Sequence, residues 1–110
     1  MKQRAERMAQ IIRMVISSTL LKLLPQAHIT LTEIEVSDDL RYATIWVSSF
    51  SEEQSLGSLL KQIEGKKTEL QKALASNLET KFTPLLSFRP DTGKSHAKKV
   101  DKLLDEISQD

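Results

Sequence analysis

An alternation of apolar and polar side chains runs through residues 42–48 in the middle of the chain. Ala43, Ile45 and Val47 fall on one face of an extended segment, and the polar or aromatic positions between them fall on the other. This period of two predicts a half-buried β-strand. The upstream run 29–36 is rich in Ile, Thr and Val and predicts a partner strand.

A short acidic segment, Ser37-Asp38-Asp39, separates these strands and supplies side chains that favour turns. We therefore expect a β-hairpin. The apolar phase slips between Leu31 and Ile34, which predicts a bulge or a change of buried face in the first strand. Adjacent turn residues point apart, whereas paired catalytic carboxylates must converge, so Asp38 and Asp39 are expected to form the turn.

Helical spacing of apolar residues marks the flanking segments. The first helix is predicted over residues 2–24, with Pro25 ending it. After the hairpin, Ser51 and Gln54 have the spacing of a capping box and predict the start of a second helix. A short strand is predicted over residues 85–89. A last helix is predicted from its apolar positions, Ala97, Val100, Leu103, Leu104 and Ile107.

The second helix contains an interruption at Ala75-Ser76-Asn77. Ser and Asn compete with the helical backbone for hydrogen bonds, and Asn tolerates the left-handed conformation, so we expect a kink at these residues. The order becomes α-β-β-α-kink-α-β-α, an α+β fold with a three-stranded sheet and helices on one face. This order is similar to the type II K-homology domain, in which a Gly-x-x-Gly turn clamps a nucleic-acid backbone.

Length, composition and charge limit the kinds of protein that this chain can be. A chain of 110 residues is expected to form one domain, residues 1–110. It has no cysteine and no apolar run near the roughly 20 residues that cross a bilayer, so we expect a cytoplasmic protein without disulfides or membrane contact. Net charge is +1, but residues 65–99 carry eight basic and three acidic side chains, while residues 25–64 carry two basic and seven acidic ones. Such segregation favours a polyanion on one face.

The basic residues near the expected kink are the first candidates for RNA contact, because the second half-helix should present free N–H groups to a phosphate. Arginines of the first helix could join them or lie over the core. The predicted RNA-binding residues are Arg4, Arg7, Arg13, Lys66, Lys67, Lys72, Ser76, Asn77 and Lys81. Trp46 could stack on a base, anchor an interface or cover the sheet, and we rank covering first.

Other chemistry has little support. Thr92-Gly93-Lys94-Ser95 looks like the end of a P-loop, but Phe88 stands where its first glycine would be. Two histidines, His28 and His96, are too few for a metal site without a defined carboxylate set. We therefore expect no enzymatic activity, no cofactor, no metal and no small-molecule substrate.

Five segments carry a resemblance to the ribosome-binding factor A family: residues 7–9, 36–48, 74–78, 84–91 and 100–104. The resemblance covers nearly the whole chain. It implies a K-homology fold with an Ala-x-Gly or related kink in place of the glycine clamp. It also implies binding to the 30S subunit and its 16S ribosomal RNA, without catalysis.

We therefore expect a monomeric assembly factor that binds the free, immature 30S subunit and promotes late maturation and processing of the 16S precursor. The alternative is a small protein-interaction domain of the same fold, which would bind a polypeptide through an open sheet edge or the Trp46 face.

Overall fold

A computed structural model describes residues 2–49, 55–79 and 82–91 of the chain. The elements are α1 (Lys2–Leu23), β1 (Ile29–Val36), β2 (Tyr42–Ser49), α2 (Leu56–Gly65), α3 (Lys67–Ser76) and β3 (Leu85–Pro90). The predicted last helix and Lys81 lie outside the described residues. No helix in the described ranges combines the length and apolarity that crossing a membrane requires.

The three strands form one sheet in the order β1-β2-β3. β1 and β2 are antiparallel and confirm the predicted hairpin, while β3 runs parallel to β2. The register of β1 shifts between Leu31 and Glu33, so the predicted bulge is confirmed. Thr32 lies at the shift, and its Oγ1 donates to the Trp46 carbonyl at 3.2 Å.

One face of the sheet carries the core. Ala43, Ile45 and Val47 are buried as predicted, and they belong to a cluster that includes Met8 and Phe88. Each helix adds apolar side chains to this cluster: Ile12 and Ile16 from α1, Leu59 and Ile63 from α2, and Leu70 and Leu74 from α3. Fully burying one such side chain contributes about 1.5–3 kcal/mol, so this shared face fixes the layers. The predicted α+β class, with helices on one face of a three-stranded sheet, is confirmed.

The second helix begins later than the start predicted at Ser51, and Ser51 and Gln54 themselves lie outside the described residues. α2 begins at Leu56, and its N-cap is Ser55, whose hydroxyl accepts from the Ser58 N–H at 3.1 Å. Serine is a favourable N-cap residue at position 51 and at position 55. The N-cap is Ser55 because a helix that begins there brings Leu59 and Ile63 into the core.

The kink predicted at Ala75, Ser76 and Asn77 is also misplaced. The interruption lies at Lys66, between α2 and α3, whereas α3 ends at Ser76. Glycine is a poor helix former, so Gly65 supplies a weak point just before Lys66. The helix breaks near this weak point because its two halves pack against different elements. α2 contacts mainly β3, and α3 contacts mainly α1.

Asn77 is not left-handed, as the kink prediction assumed. Its φ is −102° and its ψ is 3°. Positive φ occurs instead at His28 (51°) and Leu40 (61°), of which Leu40 lies in the hairpin turn. The side chains of Ser and Asn do hydrogen-bond to the helical backbone, as expected. The helix ends at these residues, however, and does not bend there.

Candidate nucleic-acid interface

The break between α2 and α3 consists of one non-helical residue, Lys66, with φ −109° and ψ 8°. Its N–H donates to the Ile63 carbonyl at 2.9 Å, and its carbonyl accepts from the Leu70 N–H at 3.0 Å. No side chain caps the N-terminus of α3. Because the first N–H groups of a helix lack intrahelical partners and carry partial positive charge, this end of α3 favours an anion.

Lysines lie at this end. Lys66 and Lys67 are both partly buried at the break itself, and Lys72 is exposed on the outer side of α3. The Lys66 ammonium lies 3.9 Å from Glu69 Oε2 in a pair whose side chains are 40% and 54% exposed. Such an exposed pair contributes about 1 kcal/mol or less and can exchange for a phosphate. The structure thus places two of the predicted lysines at a helix N-terminus, but at the break at Lys66 and not at the kink expected at residues 75–77.

The C-terminal end of α3 has the opposite character. Ser76 Oγ donates to the Ala73 carbonyl at 2.9 Å, and Asn77 Nδ2 donates to the same oxygen at 2.8 Å. The last carbonyls of a helix carry partial negative charge, which repels a phosphate. Ser76 and Asn77 therefore lose the physical basis on which they were expected to contact RNA, and their side chains serve the helix end.

The three arginines of α1 separate into two groups. Arg13 Nη1 donates to the Leu31 carbonyl at 2.6 Å, next to the bulge of β1, so this side chain ties α1 to the sheet. Arg4 and Arg7 are exposed in the first two turns of α1, a helix that packs against β1 and α3. Arg4 and Arg7 remain predicted RNA contacts, whereas Arg13 has a structural partner.

Gln71 was not identified from the sequence. Its side-chain amide makes two hydrogen bonds to β3 and the residue before it: Nε2 donates to the Pro84 carbonyl at 3.1 Å, and Oε1 accepts from the Leu86 N–H at 2.7 Å. The amide thus pairs with the edge of β3 as a neighbouring strand would. Gln71 fixes α3, and with it the basic break, relative to the sheet. Many helices carry a polar residue beside their apolar stripe, so the position of Gln71 in the sequence does not by itself predict its hydrogen bonds to β3.

The acidic hairpin turn forms a closed hydrogen-bonded unit. Asp39 Oδ1 accepts from Ser37 Oγ at 2.6 Å and from the Arg41 N–H at 3.1 Å. These bonds, that of Ser37 first, hold the pKa of the Asp39 carboxyl below its ordinary value. Asp39 therefore forms the turn, as expected. Within the described ranges, no group of His, Asp and Glu side chains is arranged to hold a metal ion.

Trp46 lies on the sheet face opposite Ala43, Ile45 and Val47, but it is only 9% exposed. A base-stacking platform needs an exposed ring, so Trp46 does not present one in this structure.

A family model described as ribosome-binding factor A matches residues 4–104. Among curated relatives, the ribosome-binding factor A of Prochlorococcus marinus is 33% identical, with 96% of this chain and 89% of that protein covered. That of Dictyoglomus thermophilum is 31% identical, with 97% and 92% covered.

Solved structures give the same picture of the fold. The crystal structure of ribosome-binding factor A from Thermus thermophilus matches with a TM-score of 0.69 at 17% identity, covering 78% of this chain and 93% of that one. A homology model of the Thermus thermophilus factor, fitted into the cryo-EM map of a 30S complex, matches with a TM-score of 0.65 at 23% identity, covering 78% and 92%. These neighbours share the K-homology-like arrangement of helices and sheet. The chain belongs to the ribosome-binding factor A family.

Proposed function

We propose that this protein binds the free, immature 30S subunit through its 16S ribosomal RNA and promotes late maturation of that RNA. The observation that carries the proposal is the match of the family model to residues 4–104. The Thermus thermophilus factor fitted into a 30S complex has a fold similar to that of this chain, which supports the same partner.

The RNA contact is assigned to the break between α2 and α3. Lys66 and Lys67 sit where the uncapped N-terminus of α3 already favours an anion, so the lysines and the helix terminus attract the same phosphate group. In the family, an Ala-x-Gly or related kink replaces the Gly-x-x-Gly clamp of K-homology domains. In this chain Ile63-Glu64-Gly65 directly precedes the break.

The mechanism requires no catalysis by the protein. A factor that binds one conformation of an RNA more tightly than another shifts the population by the ratio of the two affinities. Held in the favoured conformation, the 16S precursor presents its unprocessed ends to nucleases. Asp39 is used by the hairpin turn, where its carboxylate accepts two hydrogen bonds.

Co-sedimentation tests the partner. Purified protein mixed with free 30S subunits and with joined 70S ribosomes should migrate with the free subunits and be depleted from the joined ribosomes. Equal recovery with both particles, or with neither, would contradict the proposal.

A deletion strain tests the role in maturation. Cells that lack the protein should accumulate unprocessed 16S precursor, and the parental gene should restore processing. Normal 16S ends in the deletion strain at every temperature would refute the maturation role while leaving subunit binding intact.

Two of the surfaces on which the alternative of a protein-interaction domain depends, the Trp46 face and the start of the β3 edge, are occupied within the chain. Trp46 is buried, and Gln71 occupies the backbone at Pro84 and Leu86. A peptide that adds a strand to β3 would have to displace both hydrogen bonds of this amide.

A further inference from the structure

The two outer strands of the sheet, β1 and β3, differ in how their edges are protected. Gln71 covers the start of the β3 edge by bonding to the backbone at Pro84 and Leu86. In the first half of β1, Arg13 donates to the Leu31 carbonyl, and the bulge follows directly. Bulges and covering side chains keep other strands from pairing with a sheet edge, so this half of β1 is closed.

The second half of β1 has an open edge. In an antiparallel pair, residues that bond to the neighbouring strand alternate with residues whose backbone groups point away from it. The Ser37 N–H donates to the Tyr42 carbonyl, so the alternation turns the N–H and C=O groups of Ile34 and Val36 away from β2. Across the described residues, no hydrogen bond ends on these outward groups. They are arranged as another strand requires for pairing.

A groove lies at this open edge, between β1 and the first turns of α1. Its volume is about 220 Å³. The apolar part of its lining comes from Ala5 and Ala9 of α1 and from Ile34 and Val36 of β1. Because alanine has the smallest side chain with a Cβ, the helix leaves room beside the strand for an extended backbone.

The rim of the groove is acidic. Glu6 of α1 and Asp38 of the hairpin turn line it with exposed side chains, and none of the described residues that line it is basic. Carboxylates repel a nucleic-acid backbone and attract lysine and arginine. The β1 strand of a second copy contains two glutamates and no basic residue, so its charge would repeat that of the rim. Charge complementarity therefore favours a basic polypeptide.

We propose that the open half of the β1 edge binds an extended, lysine- or arginine-rich segment of another protein, which pairs with Ile34 and Val36 as an additional strand of the sheet. Successive side chains of such a segment point to opposite faces, so alternate apolar residues pack towards Ala5 and Ala9. The basic residues between them supply the charge that the rim attracts. The groove shares no residue with the break at Lys66, so this interaction does not depend on RNA binding there.

Peptide binding to the full parent chain tests the proposal. Fluorescence anisotropy is measured with a labelled peptide of alternating lysine and valine. One control peptide has glutamate in place of lysine, and another has methylated backbone nitrogens, which keeps the charge but removes the N–H donors. We expect only the unmethylated lysine peptide to bind. Its binding should slow hydrogen exchange of the Ile34 and Val36 amides by about tenfold, because both N–H groups then pair with the peptide.

The acidic rim is tested by Glu6→Lys/Asp38→Lys. The matched control, Glu64→Lys/Glu79→Lys, changes the net charge equally at exposed positions outside the groove. Affinity for the lysine peptide should fall by about tenfold in the rim variant and by less than about twofold in the control. The peptide comparisons on the parent chain keep the proposal testable if the rim variant does not fold.

Several results would overturn the proposal. Equal binding of the methylated peptide, or unchanged exchange at Ile34 and Val36, would indicate attraction by charge alone. Equal binding of the glutamate peptide would exclude a basic partner. Slow exchange at the same two amides that appears without peptide at high protein concentration would identify a second copy at the edge, and slow exchange caused by a single-stranded RNA oligonucleotide would identify RNA.

Discussion

The two ends of α3, a helix of ten residues, differ in nearly every property that matters for binding a nucleic acid. At the N-terminal end no side chain caps the helix, and Lys66 and Lys67 add positive charge. At the C-terminal end Ser76 and Asn77 donate to the Ala73 carbonyl. The first end attracts a phosphate, and the second repels one.

This difference shows that a helix interruption is not by itself a binding site. Its orientation decides whether it presents N–H groups or carbonyls, and its caps decide whether those groups are available. For this protein the caps distinguish the two sites: the N-terminus of α3 at Lys66 has no side-chain cap, whereas Ser76 and Asn77 donate to the last turn of α3.

The largest expected effect on stability comes from Gln71, which joins the middle of α3 to β3 and to the residue before it. Gln71→Ala removes two hydrogen bonds and leaves the Leu86 N–H without its side-chain acceptor. We expect a loss of about 1–3 kcal/mol in the free energy of unfolding. Urea unfolding checks this, with Lys72→Ala as the control on an exposed position of the same helix. Equal midpoints for the two variants would mean that α3 is held by its apolar contacts alone.

Gly65→Ala asks whether the break depends on the conformational freedom of glycine. Gly65 is not in the left-handed region, and a Cβ built on it meets nothing within 4 Å. We therefore expect alanine to stabilise the protein by about 0.4–1 kcal/mol and to leave subunit binding unchanged. Gly57→Ala is the matched control, since Gly57 lies in the same helix with equally open surroundings. Loss of binding in the Gly65 variant alone would show that alanine straightens the helix.

A smaller effect is expected at the C-terminal end of α3. Asn77→Ala removes one exposed hydrogen bond to the Ala73 carbonyl and should cost about 0.5 kcal/mol. Because φ of Asn77 is −102°, Asn77→Gly should be tolerated no better than alanine. Thermal melts rank the variants, and co-sedimentation should show parental binding for both. A glycine variant more stable than the parent would indicate a left-handed residue at this position.

The smallest effect concerns the hairpin turn, whose hydrogen bonds join Ser37, Asp39 and Arg41 to one another. The folded-state pKa of Asp39 is lowered from 3.8, so its ionised form stabilises the fold above that pH, and this contribution is lost as pH falls through the folded value. Asp39→Asn should therefore melt below the parent at neutral pH, and the gap should narrow below about pH 3.8. A gap that is constant from pH 7 to the acid limit would contradict the assignment.

The hairpin, its bulge and the third strand were predictable because they depend on local patterns. The apolar alternation at Ala43, Ile45 and Val47 favours a strand whatever that strand packs against. The change in apolar spacing after Leu31, which marks the bulge, is likewise visible in the sequence. The break was not predictable from periodicity. Leu59, Ile63, Leu70 and Leu74 stay in phase across Lys66, and Leu78 continues the stripe beyond the true end of α3.

The candidate site was predictable only in part, for a related reason. Lys66 and Lys67 were identified from their charge and from a kink expected at residues 75–77, but their position at the N-terminus of α3 depends on the break at Lys66. Gln71 and Arg13 bond to backbone 13 to 18 residues distant, and such partners are set by packing, which a local pattern does not reveal.

The most direct test of the central claim is the salt dependence of 30S binding for the two ends of α3. Affinity is measured at several salt concentrations for the parent, for Lys66→Glu/Lys67→Glu, and for Ser76→Ala/Asn77→Ala, with Lys22→Glu/Arg41→Glu as a control for net charge. The lysine variant should bind more weakly, and its slope of log affinity against log salt should be flatter by about two, because two phosphate contacts are lost. The Ser76 and Asn77 variant should keep the parental slope. A lysine variant that melts normally and binds with the parental affinity and slope would contradict the assignment of RNA binding to the break.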